Sequence, residues 1–285
     1  MGIEELVERL PEMSETTVVI AFEGWNDAGE AATGLVDHLL DSWDSELIGE
    51  LDPEDYYDFQ VNRPQAAVDE NGIRRITWPS TELYGCREPH GGPSLLIIRG
   101  IEPNVRWRAF TAEIVALLQE VNAGLVVTLG AMLAETPHTR TIPVHATTLD
   151  PALQASFGFK ASNYEGPTGI IGVISAACVA AQIPTLSLWA AVPHYYAQTP
   201  SPKGTLALLS MLEEILDVDL PVGELPEEAH AWELDVQEFT ADNDELQAYV
   251  RQLESAHDAN APDATSGDAI AKEFERYLRR RDNSQ

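Results

Sequence analysis

The stretch TVVIAFEGWNDAGEAATG, which runs from Thr17 to Gly34, changes character twice within a short span. Its first part, TVVIAF, is a continuous apolar run, and such runs are typical of strands buried on both faces of a parallel sheet. The polar turn from Glu23 to Asp27 follows, and from Ala28 onward small and apolar residues recur at helical spacing. The stretch therefore predicts a strand, a loop and a helix, which is the repeating unit of an α/β fold.

The same unit recurs along the chain. Further apolar runs lie at Ser94 to Arg99, Gly124 to Gly130 and Thr185 to Val192, and helical patterns lie between or after the runs, at residues 28–40, 107–121, 168–182 and 201–216. This alternation predicts a three-layer α/β/α domain with a mostly parallel central sheet. The segment from Glu46 to Arg87 differs, because its strand-like pieces DYYDFQV and GIRRITW are shorter. We expect extra strands there, or an excursion at one edge of the sheet.

A boundary rich in proline, glycine and acids, PVGELPEEAH, begins at Pro221. We therefore predict an α/β domain over residues 1–221 and an acidic helical extension over residues 222–285. Apolar residues recur at helical spacing in this extension, at Phe239, Leu246, Tyr249, Val250 and Leu253, and again in a short final helix with Ile270, Phe274, Tyr277 and Leu278. Because a stripe of this kind must be buried, we expect the extension to dock on its own body or on a neighbouring subunit.

The charge of the chain limits its partners. The sequence has 47 acidic and 17 basic residues, which gives a formal net charge of −30. That field repels phosphate backbones and anionic lipids, so we expect no nucleic-acid partner and no membrane partner. Two explanations of the charge stay open: it could steer a basic partner, or it could be a surface suited to a salty or crowded cytoplasm.

Other classes of protein are disfavoured by what the sequence lacks. Its two cysteines are too few for a disulfide framework or a cysteine zinc site. The N-terminal segment MGIEELVERLPEM lacks the pattern of a signal peptide, and no apolar run is long enough to span a membrane. We therefore expect a cytoplasmic location.

Polar and aromatic side chains follow several of the predicted strands. The carboxyl ends of parallel strands meet at one edge of a sheet, and ligands bind there in open α/β folds. We therefore expect a rim that could bind a ligand, formed by Glu23, Trp25, Asn26, Asp27, Arg99, Glu102, Glu135, His138, Arg140 and His194.

Several of these residues also have a structural explanation, although helix capping alone does not explain Trp25 and Asn26. Asp27 with Glu30 matches a helix capping box, and Arg99 could form an ion pair with Glu102 or Glu23. A single loop histidine such as His138 is usually a hydrogen-bonding group. The chain also lacks a phosphate-binding loop, a dinucleotide-binding glycine motif, a zinc-protease motif and a nucleophile elbow. We therefore predict no catalytic residue, no metal and no cofactor.

Five segments, in this order, resemble the proteasome assembly chaperone 2 (PAC2) family and, more narrowly, its actinobacterial branch of poorly defined function. They are FEGWNDAGEAATG, LLIIRGIEPNVRWRAF, VVTLGAMLAETPHTR, YEGPTGIIGVI and VPHYYAQTPSPKGTLALL, and the resemblance covers Val18 to Leu216. It implies an α/β/α body similar to the purine nucleoside phosphorylase and hydrolase-like fold, an oligomer such as a trimer, and a role in protein assembly for some relatives. The family offers no catalytic set to carry over.

Some assembly-chaperone relatives end in a hydrophobic residue, a tyrosine and any residue, and this end docks in a proteasome ring. The present sequence ends RRRDNSQ, with Tyr277 eight residues from its last position, so the resemblance does not carry this docking mode over. A protein partner such as a proteasome component nevertheless stays open.

Two functional classes follow. The first is a non-enzymatic assembly chaperone or scaffold that forms a homo-oligomer, and large apolar oligomer surfaces together with a vacant, poorly closed crevice at the strand ends would favour it. The alternative is a small-ligand-binding protein or an enzyme of the phosphorylase or hydrolase type, which uses the crevice at the strand ends. A deep pocket that joins His138, Arg140 and Arg99 would favour this second class.

Overall fold

A seven-stranded sheet forms the centre of the protein. The computed structural model describes residues 16–87 and 94–260. The strands lie in the order β2-β5-β6-β1-β7-β9-β8, and their bounds are β1 Thr16–Glu23, β2 Asp44–Leu51, β5 Thr81–Arg87, β6 Ser94–Ile101, β7 Ala123–Ala134, β8 Val144–Thr148 and β9 Thr185–Pro193. The four central strands β6, β1, β7 and β9 are parallel, whereas β2, β5 and β8 pair antiparallel with their neighbours. The predicted mostly parallel sheet is confirmed.

Helices cover both faces of this sheet, which confirms the three-layer architecture. α1 (Ala31–Ser42) and α5 (Pro202–Leu216) pack on one face, and α2 (Trp107–Glu120) and α4 (Ile170–Ala180) pack on the other. Side chains of a strand alternate between faces, so Val19 of β1 contacts the first layer and Val18 the second. This burial on both sides explains why the strands are continuous apolar runs. A shorter helix, α3 (Pro151–Phe157), follows β8 and is capped by Asp150.

The segment from Glu46 to Arg87 contains both of the expected features. β2 and β5 add two strands to the sheet, and β3 (Gln65–Val68) pairs with β4 (Arg74–Thr77) in a separate two-stranded ribbon. The piece DYYDFQV is not a strand. It begins in a 3₁₀ turn at Pro53–Asp55, and its two adjacent tyrosines pack in the same apolar cluster, whereas adjacent residues of a strand point to opposite faces.

The described part of the C-terminal extension is helical and packs on its own body. α6 (Leu225–Ala241) is followed by α7 (Asp244–Asn260). Trp232 and Val236 of α6 form a small apolar cluster with Tyr196, whose ring centre lies 5.8 Å from that of Trp232. The division into units 1–221 and 222–285 stays a prediction, and the proposed final helix with Ile270, Phe274, Tyr277 and Leu278 lies outside the described residues. Across residues 16–87 and 94–260, no helix combines the length and the apolar character needed to cross a membrane.

Candidate functional site

Asn26 fastens the loop after β1 to two other parts of the fold. It is completely buried, and its backbone oxygen accepts a hydrogen bond from the backbone N–H of Ala131 in β7, at 2.7 Å. Its side-chain Nδ2 donates to Oε1 of Glu102 at 2.8 Å. The same Glu102 oxygen accepts from the backbone N–H of Ile170 at 2.8 Å, so this carboxylate caps the first turn of α4. Asn26 and Glu102 therefore connect β1, β6, β7 and α4.

Gly169 shows how closely these elements approach one another. A Cβ atom at this position would lie 1.9 Å from Oδ1 of Asn26, which no packing adjustment of a few tenths of an ångström could relieve. Gly169, the last residue of the YEGPTG segment, therefore permits the contact between the α4 N-terminus and the loop after β1. An anion is not needed at this helix N-terminus, because Glu102 already supplies the negative charge.

Asp27 caps a helix, although not as a capping box. Its carboxylate accepts hydrogen bonds from the backbone N–H groups of Ala32 at 2.7 Å and Thr33 at 3.2 Å, and from the Thr33 hydroxyl. The predicted capping box of Asp27 with Glu30 is wrong, because Glu30 adopts a left-handed backbone conformation with φ of 50° and its side chain is exposed. Burial raises the pKa of Asp27, and the hydrogen bonds from Thr33 and Ala32 oppose that shift.

Arg99 lies in an ion-pair network with three carboxylates. Its guanidinium binds Asp37 of α1 through two nitrogens, one of them at 3.1 Å, and lies 3.5 Å from Glu82 and 3.7 Å from Glu23. The predicted ion pair with Glu23 is confirmed, whereas the alternative partner Glu102 is wrong because that carboxylate binds Asn26 and Ile170. Burial raises the pKa of Glu23, and Arg99 opposes this shift.

His138 is buried beneath the C-terminal helices. The Tyr195 hydroxyl accepts a hydrogen bond from its backbone N–H at 2.8 Å and lies 2.8 Å from its Nδ1. Lys203 donates to the backbone oxygen of His138 and also pairs with Glu233 of α6. Burial lowers the pKa of His138.

Arg140 binds α7. Its guanidinium donates two hydrogen bonds of 2.8 Å to Asp258 and lies 3.5 Å from Glu254. Burial and the nearby carboxylate of Glu135 raise the pKa of Tyr249. The exposed ring of His194 lies edge-on to the Tyr249 ring, with 5.7 Å between the ring centres. The tail therefore covers the rim at this point.

The expected rim consequently divides into two groups of contacts and one isolated residue. The first group contains Glu23, Asn26, Asp27, Arg99 and Glu102, and the second contains Glu135, His138, Arg140 and His194. Trp25 belongs to neither and is 66% exposed. That any of these residues binds a ligand stays a prediction.

Sequence reasoning missed most of the partners of these residues. Asp37 and Glu82 neutralise Arg99, and Glu254 and Asp258 neutralise Arg140. Asp37 had a usable signal, because it is an acid on the helix that directly follows β1. The acids of α7 had none, because a contact between residues more than a hundred positions apart has no local signature.

A groove of ≈ 470 Å³ lies between the segment Thr141–Val144 and α5, with mainly apolar side chains and with Lys203 and Glu214 among its lining residues. It does not contain Arg99, His138 or Arg140, so it is not the deep pocket that would favour an enzyme. Within residues 16–87 and 94–260, no three histidine, cysteine or acidic side chains are grouped so that they could hold a metal ion.

Comparisons with known proteins give a consistent result. A family model described as the PAC2 family matches residues 21–240. The structure of a PAC2 family protein from Streptomyces avermitilis is 49% identical, with a TM-score of 0.78, and the match covers 83% of this chain and 100% of that one. A Mycobacterium tuberculosis proteasome-assembly chaperone homologue is 47% identical, with a TM-score of 0.75 and coverage of 82% and 100%.

A more distant structure shares the fold. PbaA of Pyrococcus furiosus, an archaeal homologue of proteasome-assembly chaperone, is 21% identical with a TM-score of 0.58, and the match covers 87% of this chain and 98% of that one. Among curated proteins, none matches the chain.

Proposed function

Because the chain belongs to the PAC2 family, we propose that it is a non-enzymatic assembly chaperone or scaffold, which binds protein subunits and does not transform a small substrate. The Mycobacterium relative, described as a proteasome-assembly chaperone homologue, supports a proteasome component as the partner. The proposal includes a homo-oligomer in the cytoplasm.

One contrast at the strand ends carries this proposal. Charged side chains there are already paired within the chain, whereas large apolar side chains are exposed to solvent. Arg99 and Arg140, which an anionic substrate would need, are already held by carboxylates of the chain itself. At the strand ends, Trp25 after β1 and Met132 and Leu133 near the end of β7 are exposed large apolar side chains. Exposed apolar and aromatic groups of this kind are typical of surfaces that bind proteins.

A binding and assembly assay tests the proposal. Purified α- and β-subunits of an actinobacterial proteasome are mixed with the protein, and native mass spectrometry follows both the complex and the rate at which the subunits assemble. We expect a complex and faster assembly. Trp25→Asp should weaken the complex by about tenfold or more, since tenfold corresponds to about 1.4 kcal/mol and a central aromatic anchor contributes about 2 kcal/mol or more.

Leu149→Asp is the matched control. Leu149 is 55% exposed, close to the exposure of Trp25, but it follows the edge strand β8. Leu149→Asp should therefore leave the affinity for the subunits unchanged. The absence of any complex, or equal weakening by both substitutions, would contradict the proposed role.

Ligand binding at the strand ends is a second candidate, favoured by one specific observation. Oδ1 of Asn26 and Nε2 of His138 are buried and have no hydrogen-bond partner among the described residues. Unpaired buried polar atoms are costly and are often completed by water or a ligand. Thermal-shift measurements against nucleosides, phosphates, nucleotides and short acidic peptides test this candidate. No stabilisation at millimolar ligand would exclude it for these classes. Arg140→Ala should abolish stabilisation by a ligand that binds in the group of His138 and Arg140.

A further inference from the structure

The ribbon formed by β3 and β4 has one polar and one apolar face. Antiparallel pairing places Val68 opposite Arg74 and Ala66 opposite Ile76, and directly opposed residues share a face. This face therefore contains Ala66, Val68, Ile76 and Arg74. The other face carries Gln65, Ala67, Thr77 and Arg75, of which Arg75 pairs with Asp69 at 2.9 Å.

The apolar face of the ribbon is uncovered in a single copy of the chain. Val68 is 68% exposed and Ile76 is 49% exposed. At the base, the ring of Trp78 contacts that of Phe59 with 4.8 Å between their centres, yet Trp78 is also exposed. A two-stranded ribbon with no third layer is at best marginally stable in water, so an apolar face of this kind needs a partner surface.

α6 presents a surface of complementary chemistry. Its buried side packs on the body through Trp232 and Val236. The opposite side is an exposed stripe at helical spacing, formed by Glu227, Ala231, Leu234 and Glu238, in which Leu234 is 50% exposed. The stripe thus offers an apolar centre between two carboxylates, whereas the ribbon offers an apolar face with an arginine.

The two surfaces lie towards different sides of the molecule. The ribbon belongs to the connection between β2 and β5, at one side of the sheet, while α6 packs on Tyr196, which follows β9 near the other side. Five strand spacings separate β2 from β9, or about 24 Å. A contact between these surfaces on two copies would be head-to-tail, and such contacts close into rings when the rotation permits.

We propose that the apolar face of the ribbon in one copy binds the exposed α6 stripe of a second copy, with Val68 and Ile76 against Leu234 and with Arg74 beside Glu227 or Glu238. The choice of a second copy rests on charge complementarity, because the ribbon places an arginine on its apolar face in a chain of net charge −30. The proposal builds on the homo-oligomer of the proposed function and assigns its contact.

Charge exchange tests the contact. Sedimentation velocity across a concentration series gives the mass and the dissociation constant of the intact chain and its variants. Arg74→Glu should raise the dissociation constant by about tenfold or more, because it places like charges together. Glu227→Arg combined with Glu238→Arg should do the same, and all three substitutions together should restore most of the association.

Arg75→Glu is the matched control, since it makes the same charge change on the polar face of the ribbon. It should leave the dissociation constant within about twofold of that of the unsubstituted chain. Unchanged melting temperatures, measured at concentrations where every variant is dissociated, would show that each variant folds.

The outcomes separate the contact from the oligomer itself. An unsubstituted chain that stays monomeric at all concentrations would overturn both the proposed oligomer and this contact. An oligomer that is insensitive to Arg74→Glu, or equally sensitive to Arg75→Glu, would overturn the contact alone. Failure of the triple variant to regain association would overturn the assignment of α6 as the partner surface.

Discussion

Replacing Asp27 with alanine should strongly lower the free energy of unfolding. The side chain is buried and accepts hydrogen bonds from the backbone N–H groups of Ala32 and Thr33. These groups lie in the first turn of α1, where backbone N–H groups have no acceptor within the helix. Losing an N-cap costs about 1–2 kcal/mol, and each buried donor left unpaired costs about 1–3 kcal/mol. Relief of the carboxylate's desolvation offsets part of this. We expect a net loss of about 3 kcal/mol.

Urea unfolding and thermal melts measure this loss. A change of about 3 kcal/mol corresponds to a decrease of roughly 6–12 °C in melting temperature for a chain of this size class. Glu30→Ala is the control, because the exposed Glu30 side chain should change stability by less than about 0.5 kcal/mol. A loss below about 1 kcal/mol for Asp27→Ala, or equal losses for both variants, would refute the capping geometry described here.

The pH dependence of the same variant set gives an independent check. Burial raises the native pKa of Asp27 above its ordinary value, so between the two values the native state binds more protons than the unfolded state. This carboxyl group therefore makes stability fall as pH rises through that window. Asp27→Asn should remove its contribution to the slope, which unfolding curves between about pH 4 and pH 7 would show. A slope that stays the same in Asp27→Asn would count against a raised pKa.

Three further predictions concern the rim. Arg99→Ala should lower the free energy of unfolding by about 1–2 kcal/mol in urea titrations, because its ion-pair network is only partly exposed. Arg106→Ala is the control, because Arg106 forms an exposed ion pair with Asp55 outside the rim, and it should cost less than about 0.5 kcal/mol. Arg140→Ala should speed hydrogen exchange in α7 with little change in melting temperature, since it removes the contact to Asp258; unchanged exchange would contradict that role. Burial lowers the native pKa of His138, so below about pH 6.5 the unfolded state binds more protons than the native state, and the free energy of unfolding should fall as the pH drops. His138→Asn should reduce this fall, which denaturant titrations at about pH 7.5 and 5.5 would measure.

The sequence predicts the layered architecture well because apolar runs report burial directly. TVVIAF and its counterparts are apolar on both faces, and this pattern has few explanations other than a central parallel strand. β8 and α3 were not predicted. β8 is a short edge strand with mostly half-exposed residues, so it lacks the continuous apolar run, and α3 is too short for helical periodicity to emerge.

The sequence predicts which residues belong to the candidate site, but it does not predict which of their side chains pair with one another. Strand ends identify which residues lie at the rim, and Glu23, Asn26, Asp27, Arg99 and Glu102 do join through contacts there. Which carboxylate meets which arginine depends on helix placement, as the pairing of Arg99 with Asp37 shows. Rotation of α1 by a fraction of a turn would change that partner, and no local pattern encodes it.

The hydrogen bonds that hold the loop around Asn26 in place affect how quickly a partner could bind. The loop that carries Trp25 is hydrogen-bonded to β7 through Ala131, to Glu102, and to the start of the α5 segment through the contact of Gly29 with Ser201, at 2.6 Å. Its backbone is already ordered, so docking on Trp25 requires little loss of conformational entropy. Association should then be limited by diffusion and orientation, without a slow opening step, and substitutions of Trp25 should act mainly on the lifetime of the complex.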